Sequence, residues 1–110
     1  MTWPIAFTLT LLSELPLVML LTPAQNRVRI LPWFLIANGT SHPALWGCWS
    51  TVLTYFGDYH TTLLVTEAVV FTYESAVYSA VLRSPRGILV AVGANTASML
   101  LGLLIAWLSG

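Results

Sequence analysis

Three glutamates, Glu14, Glu67 and Glu74, lie in long apolar stretches of the chain that contain no lysine or arginine. An ionised carboxylate at the centre of a bilayer costs about 2.5–3.5 kcal/mol, even on insertion scales. Because no basic side chain in these stretches can pair with them, burial favours the protonated, neutral acid. Such groups are suited to taking up and releasing a proton, or to exchanging a proton for a bound cation. One protonated Glu can also serve only as a hydrogen-bond donor in packing.

Asn38, His42 and Asn95 are further polar side chains in the same apolar stretches. Asn38 and His42 are four residues apart and therefore share one face of a helix. The asparagines could hold a cation, although interhelical hydrogen bonds also occur as ordinary packing contacts in membranes. His42 could relay protons or bind a metal, or it could satisfy backbone groups that Pro43 frees. With neither a second buried histidine nor a cysteine cluster, we predict proton or cation binding and no metal site.

The composition is typical of an integral membrane protein. The 110 residues are 57% hydrophobic and only 7% charged, with a formal net charge of zero. The mean hydropathy is +0.82. No basic run suggests binding to nucleic acid. The single Cys48 cannot form an internal disulfide, and no motif in the sequence specifies a cofactor.

Four stretches of the sequence are long enough to cross the hydrocarbon core as helices of about 20 residues. We predict an all-α, four-helix transmembrane protein with a single domain over 1–110. The connections between the first two and the last two helices are short, so each pair should form an antiparallel hairpin. The predicted helices are 3–22, 29–53, 61–82 and 86–107.

All four basic residues, Arg27, Arg29, Arg83 and Arg86, fall in the two short connections on one face of the predicted bundle. The positive-inside rule places that face in the cytoplasm and both termini outside it. A bacterial inner membrane is the expected location.

The arginines also fix the depth of the polar residues. Asn38 and Asn95 each follow an arginine by nine residues, and Glu74 precedes Arg83 by nine, so all three lie about 13 Å deep. Glu14 is about 12 Å from the same face. Glu14, Asn38, Glu74 and Asn95 should therefore form one buried layer, with His42 and Glu67 above it at about 20 and 24 Å, nearer the outer face.

An internal repeat is visible when the second and fourth helices are aligned on Arg29 and Arg86. Arg, Ala, Asn and Ser recur at matching offsets, and Leu12-Ser13-Glu14 corresponds to Val65-Thr66-Glu67. A tandem duplication of a hairpin would produce this pattern, as would chance similarity between two apolar helices.

The first helix carries a family resemblance through Glu14 in the segment Leu12-Ser13-Glu14-Leu15. In size, in four helices and in this mid-helix glutamate, the chain resembles the small multidrug-resistance transporters. The similarity covers that helix only, since their pattern has neither a pair like Glu67 and Glu74 nor an Asn38-to-His42 motif. The resemblance implies a four-helix protomer that exchanges protons for cationic solutes, usually as a dimer.

The expected function is the handling of protons, a small cation or a cationic solute within an oligomer. The alternative is a non-transporting accessory subunit that stabilises a larger membrane complex. The expected partners are the lipid bilayer and either further copies of the chain or other membrane subunits. We predict no enzymatic activity, because neither a glycine-rich phosphate loop nor a Ser-His-Asp arrangement is present.

Overall fold

The computed structural model describes residues 2–110, which fold into four α-helices. A 3-10 turn, Ala24–Asn26, precedes the second helix. No strand occurs within residues 2–110, so the prediction of an all-α, four-helix protein is confirmed. The second helix extends beyond the predicted 29–53 at both ends, and Pro32 and Pro43 do not terminate it. The helices are α1 (Trp3–Leu21), α2 (Arg27–Phe56), α3 (Tyr59–Leu82) and α4 (Arg86–Ser109).

The turn between α2 and α3 is set by two adjacent residues. Gly57 ends α2 with a φ of 71°, in the left-handed region that glycine adopts without steric cost. Asp58 then caps α3: its carboxylate accepts hydrogen bonds from the Thr61 hydroxyl at 2.6 Å and from the Thr61 backbone N–H at 2.8 Å. These bonds lower the pKa of Asp58, the hydroxyl of Thr61 contributing most.

Neighbouring helices of the bundle run antiparallel, and the order of packing differs from the order of the chain. α3 packs against both α2 and α4, and α4 also packs against α1. α1 and α2 make little contact, although only a short turn joins them. Gly93 of α4 leaves room for the Leu21 side chain, which lets α1 lie against α4 instead. The predicted α3–α4 hairpin is therefore close, whereas the α1–α2 hairpin is splayed.

The buried apolar core occupies only part of the bundle. We call the part between the arginine-bearing connections and the level of Glu14 and Glu74 the arginine half, and the remainder the outer half. Nearly all of the buried apolar side chains belong to the arginine half. They form one cluster, Val18, Ile30, Phe34, Ala37, Tyr78, Val81, Val90, Ala91 and Ala94.

α3 and α4 approach each other most closely at Gly87 in the arginine half. A Cβ atom at position 87 would collide with the backbone of Ser79. Close approach of backbones through small residues is how helices pack in membranes. Large apolar side chains are exposed in both halves, among them Leu20 and Trp33 in the arginine half and Trp46 and Trp107 in the outer half.

Two of the four helices, α1 and α4, are long and apolar enough to cross a membrane. α2 and α3 are longer than α1 but carry more polar residues. Several of these polar side chains face the interior of the bundle. Those that are buried include Asn38 and Ser41 on α2 and Thr62, Thr66 and Glu74 on α3.

Candidate functional site

Two carboxyl groups, those of Glu14 on α1 and Glu74 on α3, lie inside the bundle. Glu14 is 1% exposed and Glu74 is fully buried, and they are near enough for their charges to interact. The Oε2 atom of Glu74 accepts a hydrogen bond from the Asn95 side chain at 2.9 Å. Its Oε1 atom and both carboxyl oxygens of Glu14 have no hydrogen-bond partner within residues 2–110. The Ser98 hydroxyl lies beside the Glu14 carboxyl, outside hydrogen-bond geometry.

The two asparagines occupy corresponding positions on α2 and α4. The Asn38 side chain donates to the carbonyl of Phe34 at 3.0 Å, and that of Asn95 donates to the carbonyl of Ala91 at 2.9 Å. Asn95 also donates to Glu74, whereas the Asn38 carbonyl oxygen is buried without a partner in the described part of the chain. The shared bond to the preceding turn matches the sequence repeat, but only Asn95 reaches a carboxylate.

Tyr78 joins this site, and sequence reasoning missed it. The residue is fully buried one turn beyond Glu74 on α3. Its ring lies near Glu74 and Glu14, and its hydroxyl lies beside Asn38 without forming a hydrogen bond. The available signal was the four-residue spacing from Glu74, which places both side chains on one helix face. We call Glu14, Asn38, Glu74 and Tyr78 the buried layer.

A cavity of about 280 Å³ lies above the buried layer, in the outer half. His42 and Glu67, both partly exposed, line it together. Asn95 and Ser98 also line it, and these two residues lie against Glu74 and Glu14. We call this space the outer cavity; its remaining lining residues are Thr10, Leu45, Tyr59, Leu63, Val70, Met99, Gly102, Leu103 and Ala106.

The predicted site residues thus separate into two groups. Glu14, Asn38 and Glu74 come together in the buried layer, and Asn95 connects that layer to the outer cavity. Glu67 lies apart from Glu74 on α3 but is within electrostatic reach of it. The sequence repeat aligned Glu14 with Glu67, whereas the residue that shares the depth of Glu14 is Glu74. The depth of each glutamate follows from its distance to the end of its helix, and the local sequence similarity does not predict it.

His42 lies at the edge of the outer cavity. Its ring packs against that of Phe7, with 5.7 Å between the ring centroids. The Nε2 atom is buried and has no hydrogen-bond partner within residues 2–110. Over the same residues, no three His, Cys, Asp or Glu side chains come together as a metal-binding group.

The arginines do not neutralise the buried carboxyl groups, because all four are exposed at the other end of the helices and two of them bond to the end of α1. The Nε atom of Arg27 donates to the carbonyls of Met19 at 2.8 Å and Thr22 at 3.3 Å. The Nε atom of Arg86 donates to the carbonyl of Leu21 at 2.9 Å. Cationic side chains at a helix C-terminus satisfy its last carbonyls and its dipole. A proton or an external cation must therefore balance the buried acids.

Comparison with known proteins adds no further assignment. No protein-family model matches the chain, and neither the curated proteins nor the solved structures give a match. Fold and site together define a class: an all-α, four-helix protein with a buried carboxyl pair beneath a polar cavity.

Proposed function

We propose that the chain is an integral membrane protein whose four helices all cross the bilayer, with both termini outside the cytoplasm. The hydropathy of α1 and α4 supports this arrangement. α2 and α3 have 30 and 24 residues, more than the roughly 20 that a membrane crossing needs. The bundle is 43 Å along its longest axis, which exceeds a hydrocarbon core of about 30 Å. The arginines would face the cytoplasm, most simply that of a bacterial inner membrane.

Within that membrane, the proposed function is the movement of a proton or a small cation by way of Glu14 and Glu74. The observation that carries this proposal is a buried pair of acids beneath a polar cavity, with no basic side chain beside it. Intramembrane carboxyl groups are costly to retain and commonly mark ion pathways. A role limited to packing would be better served by acids whose oxygens are all hydrogen-bonded.

The residues have distinct parts in this proposal. Glu14 carries the exchangeable proton or cation, because both of its oxygens are free of other bonds within residues 2–110. Asn95 orients Glu74 through its 2.9 Å hydrogen bond. His42 and Glu67 line the route from the outer face, where a carboxylate and an imidazole attract and relay positive charge.

The second candidate function is that of an accessory subunit. The splayed α1–α2 pair favours it, since such a gap suits a neighbouring helix from another protein or from a second copy. Large apolar side chains exposed along all four helices would contact either lipid or that neighbour. An accessory role requires no movement of ions and no ionisable function at Glu14.

Ion movement can be tested in liposomes that contain the purified protein and an internal pH-sensitive dye. A potassium gradient with valinomycin sets an inside-negative potential, and acidification of the lumen reports proton entry. We expect Glu14→Gln and Glu74→Gln to lower the rate to that of protein-free liposomes. Asp58→Asn is the matched control, because it removes an exposed carboxylate but keeps an oxygen that can cap α3.

Uptake of radioactive sodium by the same liposomes measures the movement of a cation other than the proton. Wild-type protein that moves neither ion faster than protein-free liposomes would reject ion handling. Flux that both glutamine variants retain in full would also reject it.

A further inference from the structure

Five oxygen atoms of the buried layer have no hydrogen-bond partner within residues 2–110. The four side chains that carry them are each at most 1% exposed and come from α1, α2 and α3. A buried polar atom left unpaired costs about 1–3 kcal/mol, so five such atoms on four neighbouring side chains indicate a ligand. The atoms are both Oε atoms of Glu14, Oε1 of Glu74, Oδ1 of Asn38 and Oη of Tyr78.

The chemistry of these atoms restricts what they can bind. The amide oxygen of Asn38 is an acceptor only, and the carboxyl oxygens accept whenever they are ionised. Tyr78 supplies a single donor hydrogen. A proton shared between the two glutamates would engage one oxygen of each and would leave the other three oxygens without a partner within residues 2–110. Carboxylate, amide and hydroxyl oxygens together are the ligand set of a hard cation.

We propose that the buried layer binds one dehydrated monovalent cation of the size of Na⁺. This inference rests on the proposed function, and it identifies the small cation of that function as Na⁺. Five oxygens are fewer than the six to eight that Ca²⁺ takes, and Mg²⁺ usually keeps several waters that this buried position would exclude. Dehydration also becomes more costly with the square of the charge, which disfavours a divalent ion in a buried site. The neutral oxygens of Asn38 and Tyr78 favour a metal cation over a bare proton, which needs only one acceptor.

Charge balance then couples the cation to a proton. With the cation bound, one glutamate is ionised and the other keeps its proton, so the layer is neutral. Without the cation, both acids are protonated and the layer is again neutral. When Na⁺ enters, the O–H bond of one glutamic acid breaks, the carboxylate keeps the electron pair and coordinates Na⁺, and the proton leaves by the outer cavity. Binding of one sodium ion therefore releases one proton from the layer.

Proton release by the purified protein in weakly buffered detergent solution tests this exchange. A pH indicator is read while NaCl is added, with choline chloride at the same ionic strength as the reference. We expect one proton released per chain with NaCl and none with choline chloride. Equal release with both salts, or release caused by CaCl₂ but not by NaCl, would overturn the assignment.

Variants of the neutral ligands separate this inference from the proposed function. Asn38→Leu and Tyr78→Phe should weaken binding of radioactive sodium by about tenfold or more, since even outer partners of a bound metal act on that scale. Proton entry is measured in the same variants, with Glu14→Gln as the reference for its loss. Tyr73→Phe is the matched control: it is a tyrosine of the same helix, 37% exposed, whose hydroxyl lies 2.8 Å from that of Thr40.

Each variant is first checked for wild-type elution and helical content, so that loss of folding is recognised. Sodium binding that is unchanged in both Asn38→Leu and Tyr78→Phe would overturn the cation site. If proton entry still required Glu14 in that case, the proposed function would stand. Wild-type protein that neither binds sodium nor admits protons would reject both proposals.

Discussion

The arginine half and the outer half of the bundle are built from the same four helices but pack differently. On α1, α2 and α4 no apolar side chain beyond the level of Glu14 and Glu74 is buried, whereas the arginine half contains a closed apolar cluster. The buried residues of α3 continue outward through Val70, Thr66 and Thr62, whereas those of α2 end at Ser41, three residues beyond Asn38. The polar layer therefore lies at a boundary: it is sealed on one side and beneath a cavity on the other.

The difference follows from which residues meet at the helix contacts. In the arginine half, Gly87 allows two backbones to touch, and the rings of Phe34 and Tyr78 are buried among small and β-branched side chains. In the outer half, bulky rings take that place. Trp49 packs edge-on against Tyr59 with 5.7 Å between centroids, and both rings line an open pocket between α2 and α3.

The largest expected effect comes from filling the close contact in the arginine half. Gly87→Val should destabilise the protein by at least about 3 kcal/mol, because the new side chain overlaps backbone that cannot move aside. Gly102→Val on the same helix should have little effect, since no atom lies within 4 Å of a Cβ at that position. Thermal unfolding in detergent, followed by circular dichroism, measures both. Equal stability of the two variants would contradict the difference in packing between the halves.

An intermediate effect is expected for the access of water to positions on the two sides of the buried layer. In a Cys48→Ser background, which removes the exposed native thiol, Ser98→Cys should react with a charged, membrane-impermeant thiol reagent added on the side of the termini. Ala94→Cys, one turn deeper and fully buried, should remain unmodified over the same time. Mass spectrometry of the intact chain reads the modification. Labelling of both positions at similar rates would show that the arginine half is not sealed.

The smallest effect is expected at the outer turn between α2 and α3. Asp58→Ala removes the cap of α3 and should lower the melting temperature slightly. Because the hydrogen bonds from Thr61 lower the pKa of Asp58, the cap stabilises the fold above the unfolded-state pKa and is lost as pH falls through the folded-state value. The difference between wild type and variant should therefore shrink in acid. A constant difference across pH would mean that the carboxylate charge contributes nothing there.

Composition and arginine position were sufficient to predict four helices and the depth of the polar layer. Counting from an arginine works because the helical rise is constant, so Asn38, Glu74 and Asn95 reach a common level wherever the helices pack. The splay of α1 from α2 was not predictable in this way. It reflects the packing of α1 against α4, including the contact of Leu21 with Gly93, which no pattern of either helix alone specifies.

Tyr78 was missed for a related reason. A tyrosine in an apolar helix can face lipid, an interface or the interior, and its own sequence context does not distinguish these. The orientation of α3 about its own axis places Tyr73 on the outside of the bundle and Glu74 on the inside, and this orientation places Tyr78 in the buried layer. The four-residue step from Glu74 becomes informative once that orientation is known.

The hydrogen bonds from Arg27 and Arg86 to the end of α1 have a kinetic consequence. Arg86 ties the start of α4 to the carbonyl of Leu21 across the closed half, and Arg27 ties the start of α2 to the same helix end. Any rearrangement that turned the buried layer toward the opposite side of the membrane would first have to break these bonds. If the proposed ion movement involves such a turnover, the two arginines would add to its activation barrier from their position at the end of α1.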